Sequence, residues 1–406
     1  FQGCLRPQHN PEGPQYVLQQ NQTFGFEHIP RNAFPASTLP LRQCNHRHRQ
    51  RHFRLACSSG NHRLGPKLPQ ENRLSNVLRI EIHRRKQESF PPLHSLKPPL
   101  QTIDVSENNV TEIQKLAFKD IYLTNINLSK NNISKIESGA FKNCANITRL
   151  DLSYNRIESI PKKAFDETTY ATEIQLSYNL LTIFDQIPLH NMSGLKILNV
   201  SHNSIEKIPK GSFPKLYELH TIDVSHNNLS DIFNSVFQTL FSLRTLNLSY
   251  NSLETIKPST FGALPTLLEL DLSNNRLRDI ARSGLTRLAS TRMLTLRNNH
   301  LTKLFILPIS VSELDLAYND FEEIPPKLWP SMNSLLTLDL SYNRLGDSLV
   351  QGSFTNLLTL RKLNLNYNGI SKPPWVAINE LSSLQYLYLE VSRVVFRVAQ
   401  NLAGAD

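Results

Sequence analysis

An asparagine returns on an almost fixed beat through most of this chain. Asn108, Asn131, Asn155, Asn179, Asn203, Asn227, Asn251, Asn275, Asn299, Asn319, Asn343 and Asn368 are mostly 24 residues apart, and each sits at the same place in the phrase L-x-x-L-x-L-x-x-N-x-L. One copy has too few apolar residues to bury its own face, so the copies must stack and share one core. In the copy at 243–266, Leu243, Leu246, Leu248 and Leu253 are the inward positions. The alternation across 246–248 is that of a short strand, which turns Asn247 and Ser249 away from the core. Asn251 stands among the inward positions. A buried amide without partners costs about 1–3 kcal/mol, so these amides are expected to bond the backbone of neighbouring turns as a continuous ladder.

A period of 20–29 residues carrying this phrase marks leucine-rich repeats. The expected fold is an α/β repeat solenoid, a horseshoe or superhelix with a parallel sheet on its concave side and about 12–13 repeats of 24 residues. A second line of large apolar residues runs about fourteen positions before each Asn: Phe118, Phe141, Phe165, Leu189, Phe213, Phe237, Phe261, Leu285, Phe305, Trp329 and Phe354. It reads as a buried spine under the convex side, with a ligand platform as the alternative. The step from Asn299 to Asn319 is only 20 residues, which predicts a trimmed convex connection and a local change in curvature.

Charge divides the chain. Its formal net charge is +10 and its pI about 9.4, yet residues 101–406 hold 29 basic and 29 acidic side chains. The excess lies in 41–100, with thirteen basic and three acidic residues. The array itself therefore gives no reason to expect nucleic acid as a partner. The expected domains are a partial N-terminal repeat at 1–40, a basic His/Arg-rich irregular segment at 41–87, the repeat array at 88–390 and a non-repeat tail at 391–406. Three readings compete for 41–87: an insertion that binds polyanions weakly, a metal site built on His46, His48 and His52, or intronic or out-of-frame sequence. A solenoid needs polar caps, and no cap, leader, membrane span or lipidation signal is legible, so the chain is expected to be an interior piece of a longer protein. Cys4, Cys44, Cys57 and Cys144 form no cluster of zinc-binding spacing; Cys144 reads as a buried thiol.

Asn-x-Ser/Thr acceptors occur at Asn21, Asn109, Asn127, Asn132, Asn146, Asn191, Asn199, Asn228 and Asn247 and then stop. Those at Asn127, Asn199 and Asn247 follow automatically from the repeat, whereas Asn146 and Asn191 do not. The outward position between the strand leucines reads Asp104, Asn127, Asp151, Gln175, Asn199, Asp223, Asn247, Asp271, Thr295, Asp315, Asp339 and Asn364. It is either a partner-facing acidic and amide stripe or a solvated face bonded across repeats, and Asp339→Ala is expected to leave stability nearly intact. Beside the Asn row runs a second one: Tyr154, Tyr178, His202, His226, Tyr250, Asn274, Asn298, Tyr318, Tyr342 and Tyr367. The expected contact patch is Asp271, Asp315, Tyr318, Asp339, Tyr342, Asn364, Tyr367 and Trp375, in the stretch beyond 247 that carries no acceptor site; rim packing is the alternative for the tyrosines. No nucleophile elbow, metalloprotease helix or phosphate-binding loop is present, so no catalytic residue, metal or cofactor is assigned.

The run of "LDLSYNRI", "LNVSHNSI", "IDVSHNNL", "LNLSYNSL" and "LNLNYNGISKPPW" resembles the extracellular leucine-rich repeats of animal adhesion proteins, the chaoptin family of arthropod photoreceptors above all. The resemblance implies secretion, glycosylation, lipid-anchored display at the cell surface and adhesion through a protein ligand or the protein itself. Toll-like receptors share the motif, so the ectodomain of an innate-immune or signalling receptor is the other reading.

Overall fold

The computed structural model describes residues 101–121 and 123–390, and the backbone of short strands at Gln15–Val17, Arg54–Leu55 and Val77–Glu81. Apart from those strands, what the sequence suggests for 1–40, for the histidines at 46, 48 and 52, and for 391–406 lies outside the described residues. Within 101–390, thirteen three-residue strands run side by side in chain order, all parallel, from Thr102–Asp104 to Tyr386–Tyr388. Each connection crosses the far side and returns to the next strand. Every strand buries its middle residue and turns the two flanking ones outward: Leu246 lies opposite Ile222 and Leu270, with Thr245 and Asn247 on the open face. The register shift equals the repeat length, so residue types stack in columns.

The short repeat does not break this. Met293–Thr295 pairs with Glu313–Asp315, Leu294 opposite Leu314, so the shortening is taken from the convex connection, as the sequence predicts. Val77–Glu81 pairs in parallel with Thr102–Asp104. Strand order thus begins inside the tract that reads as irregular up to residue 87.

Under the sheet lies one continuous apolar core. All eleven residues of the expected spine are buried, the least covered being Phe305 at 7%. Successive rings meet at 5.2 Å for Phe118 and Phe141, 5.4 Å for Phe213 and Phe237, and 6.4 Å for Phe237 and Phe261, within the range that favours aromatic pairs. Trp329 fits the spine because its indole N–H donates to the Ser353 carbonyl at 2.8 Å. Two further buried rings, Phe184 and Phe321, stand where most repeats carry a smaller aliphatic. Phe184 opens a short 3-10 turn, Phe184–Gln186, and packs 4.9 Å from Phe213. Short parallel pairs on the other side, Glu112–Ile113 with Lys135–Ile136 and Thr255–Ile256 with Asp279–Ile280, tie neighbouring connections together. Cys144 is buried, and burial pushes its thiol up to about 12.

The asparagine ladder is present from Asn131 to Asn368. Asn227 shows the pattern: its amide nitrogen donates to the carbonyls of Val200, Val224 and Ser225 at 3.0–3.1 Å, and its oxygen accepts the Ile205 N–H at 2.9 Å. One side chain thereby satisfies backbone groups of its own turn and of the turn before it. No hydrocarbon replaces it, because those groups are buried too far from water to find other partners. Asn227→Ala is expected to cost about 1–3 kcal/mol by orphaning them, and Phe237→Ala about 3–5 kcal/mol by leaving a cavity in the spine. Urea melts of the two variants check both the magnitudes and their order.

Candidate partner-binding face

The outward row between the strand leucines has a local task. The carboxylate of Asp151 accepts the Ser153 N–H at 3.0 Å and its hydroxyl at 2.6 Å. Asp339 does the same with Ser341, at 2.8 and 2.6 Å. Asp271 accepts the Ser273 N–H at 2.8 Å, Asp315 that of Ala317 at 2.9 Å, and Asn364 that of Asn366 at 3.1 Å. Asn127, Asn199 and Asn247 hold their own second neighbours in the same way. The row caps the strand ends within each repeat; a bond across repeats occurs where Asn364 donates to Asp339 at 3.0 Å. This corrects the expectation for Asp339→Ala, which removes three accepted hydrogen bonds and is expected to cost about 1–2 kcal/mol.

The cap precedes an unusual backbone. Every residue immediately before a ladder asparagine, from Glu107 at φ 58° through Tyr154, Tyr178, His202, His226 and Tyr250 to Tyr367 at φ 55°, lies in the left-handed region. Asn and His enter that region more readily than most residues, but Tyr is an outlier there. The chain reverses direction at this point, and the side chains stack on one another along the rim. Ring centroids are 4.1 Å apart for Tyr154 and Tyr178, 3.9 Å for Tyr178 and His202, 3.9 Å for His202 and His226, and 4.1 Å for His226 and Tyr250. Asn298 donates to Asn274 at 2.8 Å across the gap. A second stack joins Tyr318, Tyr342 and Tyr367 at 4.0 and 4.2 Å. Arg297 caps it, its guanidinium 4.5 Å from the Tyr318 ring.

The structure thus brings Tyr318, Tyr342 and Tyr367 together as one half-exposed ribbon beside the strands that carry Asp271, Asp315, Asp339 and Asn364. It sets Trp375 apart. That residue opens the helix Trp375–Ile378 on the convex connection and is not on a strand. Sequence reasoning missed the other outward strand position, which carries Glu269, Met293 and Glu313 in adjacent strands. Thr, Glu, Asn, Arg, Ile, Met, Lys and Tyr all occur in that column, so no one type marks it in the sequence. A hollow over the sheet is lined by Thr245, Asn247, Glu269, Asp271, Met293 and Thr295.

The two ends of the concave face differ in charge balance. Arg149 pairs with Asp151 at 3.4 Å and with Glu173 at 2.9 Å. Further along, Arg297 reaches Asp315 only at 3.8 Å, and among the described residues Glu269, Asp271, Glu313 and Asp339 have no ion pair partner. Burial pushes the Asp315 carboxyl up from its ordinary value, with the charges of Asp339 and Asp271 adding to the effect. Of the acceptor asparagines, Asn146, Asn191 and Asn228 are exposed, whereas Asn109, Asn127, Asn132, Asn199 and Asn247 are half-buried. Asn132 donates to Asn109 at 2.6 Å.

The family model described as "Leucine rich repeat" matches residues 98–157, 121–181, 145–205, 171–229, 193–253 and 241–301, and a second repeat model matches 331–348 and 356–373. The chain belongs to the leucine-rich repeat family. Among curated proteins, lumican of Homo sapiens is 36% identical over 88 residues, which cover 22% of this chain and 25% of lumican. Osteomodulin of Rattus norvegicus is 38% identical over 88 residues, 21% of this chain and 20% of osteomodulin. The matched stretch thus spans about a quarter or less of each relative. Among solved structures, an internalin of Listeria monocytogenes superposes with a TM-score of 0.56 at 21% identity, covering 77% of this chain and 86% of the internalin. That likeness concerns the solenoid alone. Among the described residues, no helix is long and apolar enough to cross a membrane.

The rim makes a testable demand on side-chain shape. Tyr342→Asn keeps a residue type this row already uses and loses only stacking with Tyr318 and Tyr367, at about 1 kcal/mol. Tyr342→Val forces a β-branched residue into the left-handed region and is expected to cost about 1–2 kcal/mol more. Denaturant midpoints of the two variants measure the difference.

Proposed function

We propose that this leucine-rich repeat array is the binding region of an extracellular, glycosylated adhesion protein. It engages a protein partner, which includes a second copy of itself, through the carboxylates of Asp271, Asp315 and Asp339 and the adjoining ribbon of Tyr318, Tyr342 and Tyr367. The observation that carries this reading is a redundancy. The strand-end cap needs only one amide or carboxylate oxygen, and Asn supplies it at 127, 199, 247 and 364. Asp at 271, 315 and 339 adds charge that the cap does not use and that Asp315 feels as a cost. A charge kept against stability points to a function elsewhere, and here the matching chemistry is a cationic protein surface. Tyrosine beside it supplies the rigid, partly apolar contact area that interfaces favour.

The extracellular setting rests on the exposed acceptors Asn146, Asn191 and Asn228 and on the resemblance to the chaoptin family. Attachment to a membrane would come from a segment outside the array. Weak polyanion binding by 41–87 remains a separate proposal, tested by retention on heparin with and without that segment.

The test is the triple variant Asp271→Asn, Asp315→Asn, Asp339→Asn in the full chain, since Asn keeps the oxygen each cap uses and gives up only the bond from Asn364 to the second oxygen of Asp339. The folded protein holds the Asp315 proton more tightly than the unfolded chain, so ionised Asp315 costs stability above its raised pKa. That cost falls away as pH drops through it toward the ordinary value of 3.8. Relief at Asp315 and loss of the Asn364 bond oppose each other, so the variant should melt close to the wild-type temperature at pH 7. Bead clustering and sedimentation should show self-association weakened about tenfold or more, equivalent to roughly 1.4 kcal/mol. Wild-type protein that never clusters excludes self as the partner, and clustering unchanged in the triple variant excludes this face.

A further inference from the structure

The N-terminal rim stack has a feature that neither the fold nor the proposed partner face requires. Its five rings run Tyr154, Tyr178, His202, His226, Tyr250, and the third and fourth are imidazoles lying 3.9 Å apart with planes only 12° from parallel. Both residues have φ of 52°, so the backbone fixes the rings face to face. Tyr178 lies 3.9 Å from His202 on one side, and Tyr250 lies 4.1 Å from His226 on the other. Neutral imidazoles stack as ordinary aromatic rings. Two imidazolium rings at this separation repel each other along the stack axis, and both stand half-buried at the rim, with one side toward water.

The surroundings offer little to offset a second charge. The neutral Ser201, Ser225, Asn203 and Asn227 adjoin the pair in sequence. The flanking rings are phenols, which are uncharged near neutrality. Asp223, on the strand before His226, is the carboxylate that acts on His202 and favours its charged form. Burial and the neighbouring His226 outweigh it and hold the His202 imidazole below its ordinary value of 6.5. At 3.9 Å a charge on either ring opposes a charge on the other.

We propose that His202 and His226 form an acid-responsive joint in the rim: neutral, they carry the ring stack unbroken from Tyr154 to Tyr250; doubly protonated, they part and divide it. The joint rests on its own geometry and stands apart from the partner face around Tyr342. The sign of its effect is fixed. A histidine whose folded-state pKa is depressed contributes stability above its unfolded pKa, and that contribution is lost as pH falls through 6.5 and on through the lower folded value.

The experiment uses the full chain, with imidazole and tyrosine ring signals followed by NMR and near-ultraviolet circular dichroism from about pH 7.5 to about pH 5, the interval in which histidine changes charge. The His202 imidazole should charge below its ordinary value of 6.5, and the tyrosine ring signals should move reversibly as it does. The paired substitution His202→Tyr, His226→Tyr should abolish the tyrosine change in this interval. Rim signals that stay fixed while both imidazoles charge overturn the proposal, as does a change that persists in the paired variant. If that variant does not fold, His226→Asn serves instead, because Asn already occupies this row at 274 and 298. It should raise the His202 titration toward 6.5, and a titration left where it was overturns the proposal.

Discussion

The ladder asparagine is the interaction on which the other features depend. Its amide meets carbonyls in two successive turns and accepts an N–H from the earlier one, so each side chain fixes the rise and register between repeats. Once that offset is set, every other position becomes a column. Leucines meet leucines across the sheet, phenylalanines meet phenylalanines beneath it, and the residue before each asparagine meets its counterpart at ring-stacking distance. A solenoid has no closed core to enforce such order, because each turn contacts only its neighbours. Local bonds repeated at every turn do that work instead.

The same repetition explains how the rim tolerates its backbone. A tyrosine in the left-handed region costs on the order of 1–2 kcal/mol, and the row carries one such position per repeat. Each ring regains part of that cost against the rings before and after it. The strand-end cap adds hydrogen bonds just ahead of the strained residue. Cap, strained residue and ladder asparagine therefore act as one motif of five residues, and a change at any of them is felt by its neighbours. Surface chemistry is written on the few outward positions that this motif leaves free, which is where Glu269, Met293 and Glu313 stand.

Reading the sequence was reliable where the period carried the information. The spine, the ladder and the strand positions all recur, so inward and outward follow from phase for them; Ser249, which strand alternation turns outward, is instead buried at the turn. Phe305 and Trp329 show its reach, since both fall on the spine around a shortened repeat and both are buried. The site was less legible. Asp339 looks like a free surface carboxylate in sequence, yet it holds Ser341 through two hydrogen bonds. Trp375 follows Tyr367 closely in the chain but stands on the convex connection, because eight residues are enough to leave the sheet and round the turn. Met293 and its acidic neighbours occupy a column of mixed residue types, and a period reveals poorly what does not repeat at every turn.

The sequence by itself determined the solenoid, because a single repeat cannot bury its own apolar face and a fixed period forces the copies to stack. It also determined which residues form the core and where the amide ladder runs. Only the tertiary structure decided the relations between columns. It showed that the outward aspartates cap their own turns, that the rim rings face one another in the left-handed region, and that two histidines a full repeat apart lie 3.9 Å from each other. Those facts depend on the rise per turn and on backbone angles at the turn, and a list of residue types contains neither.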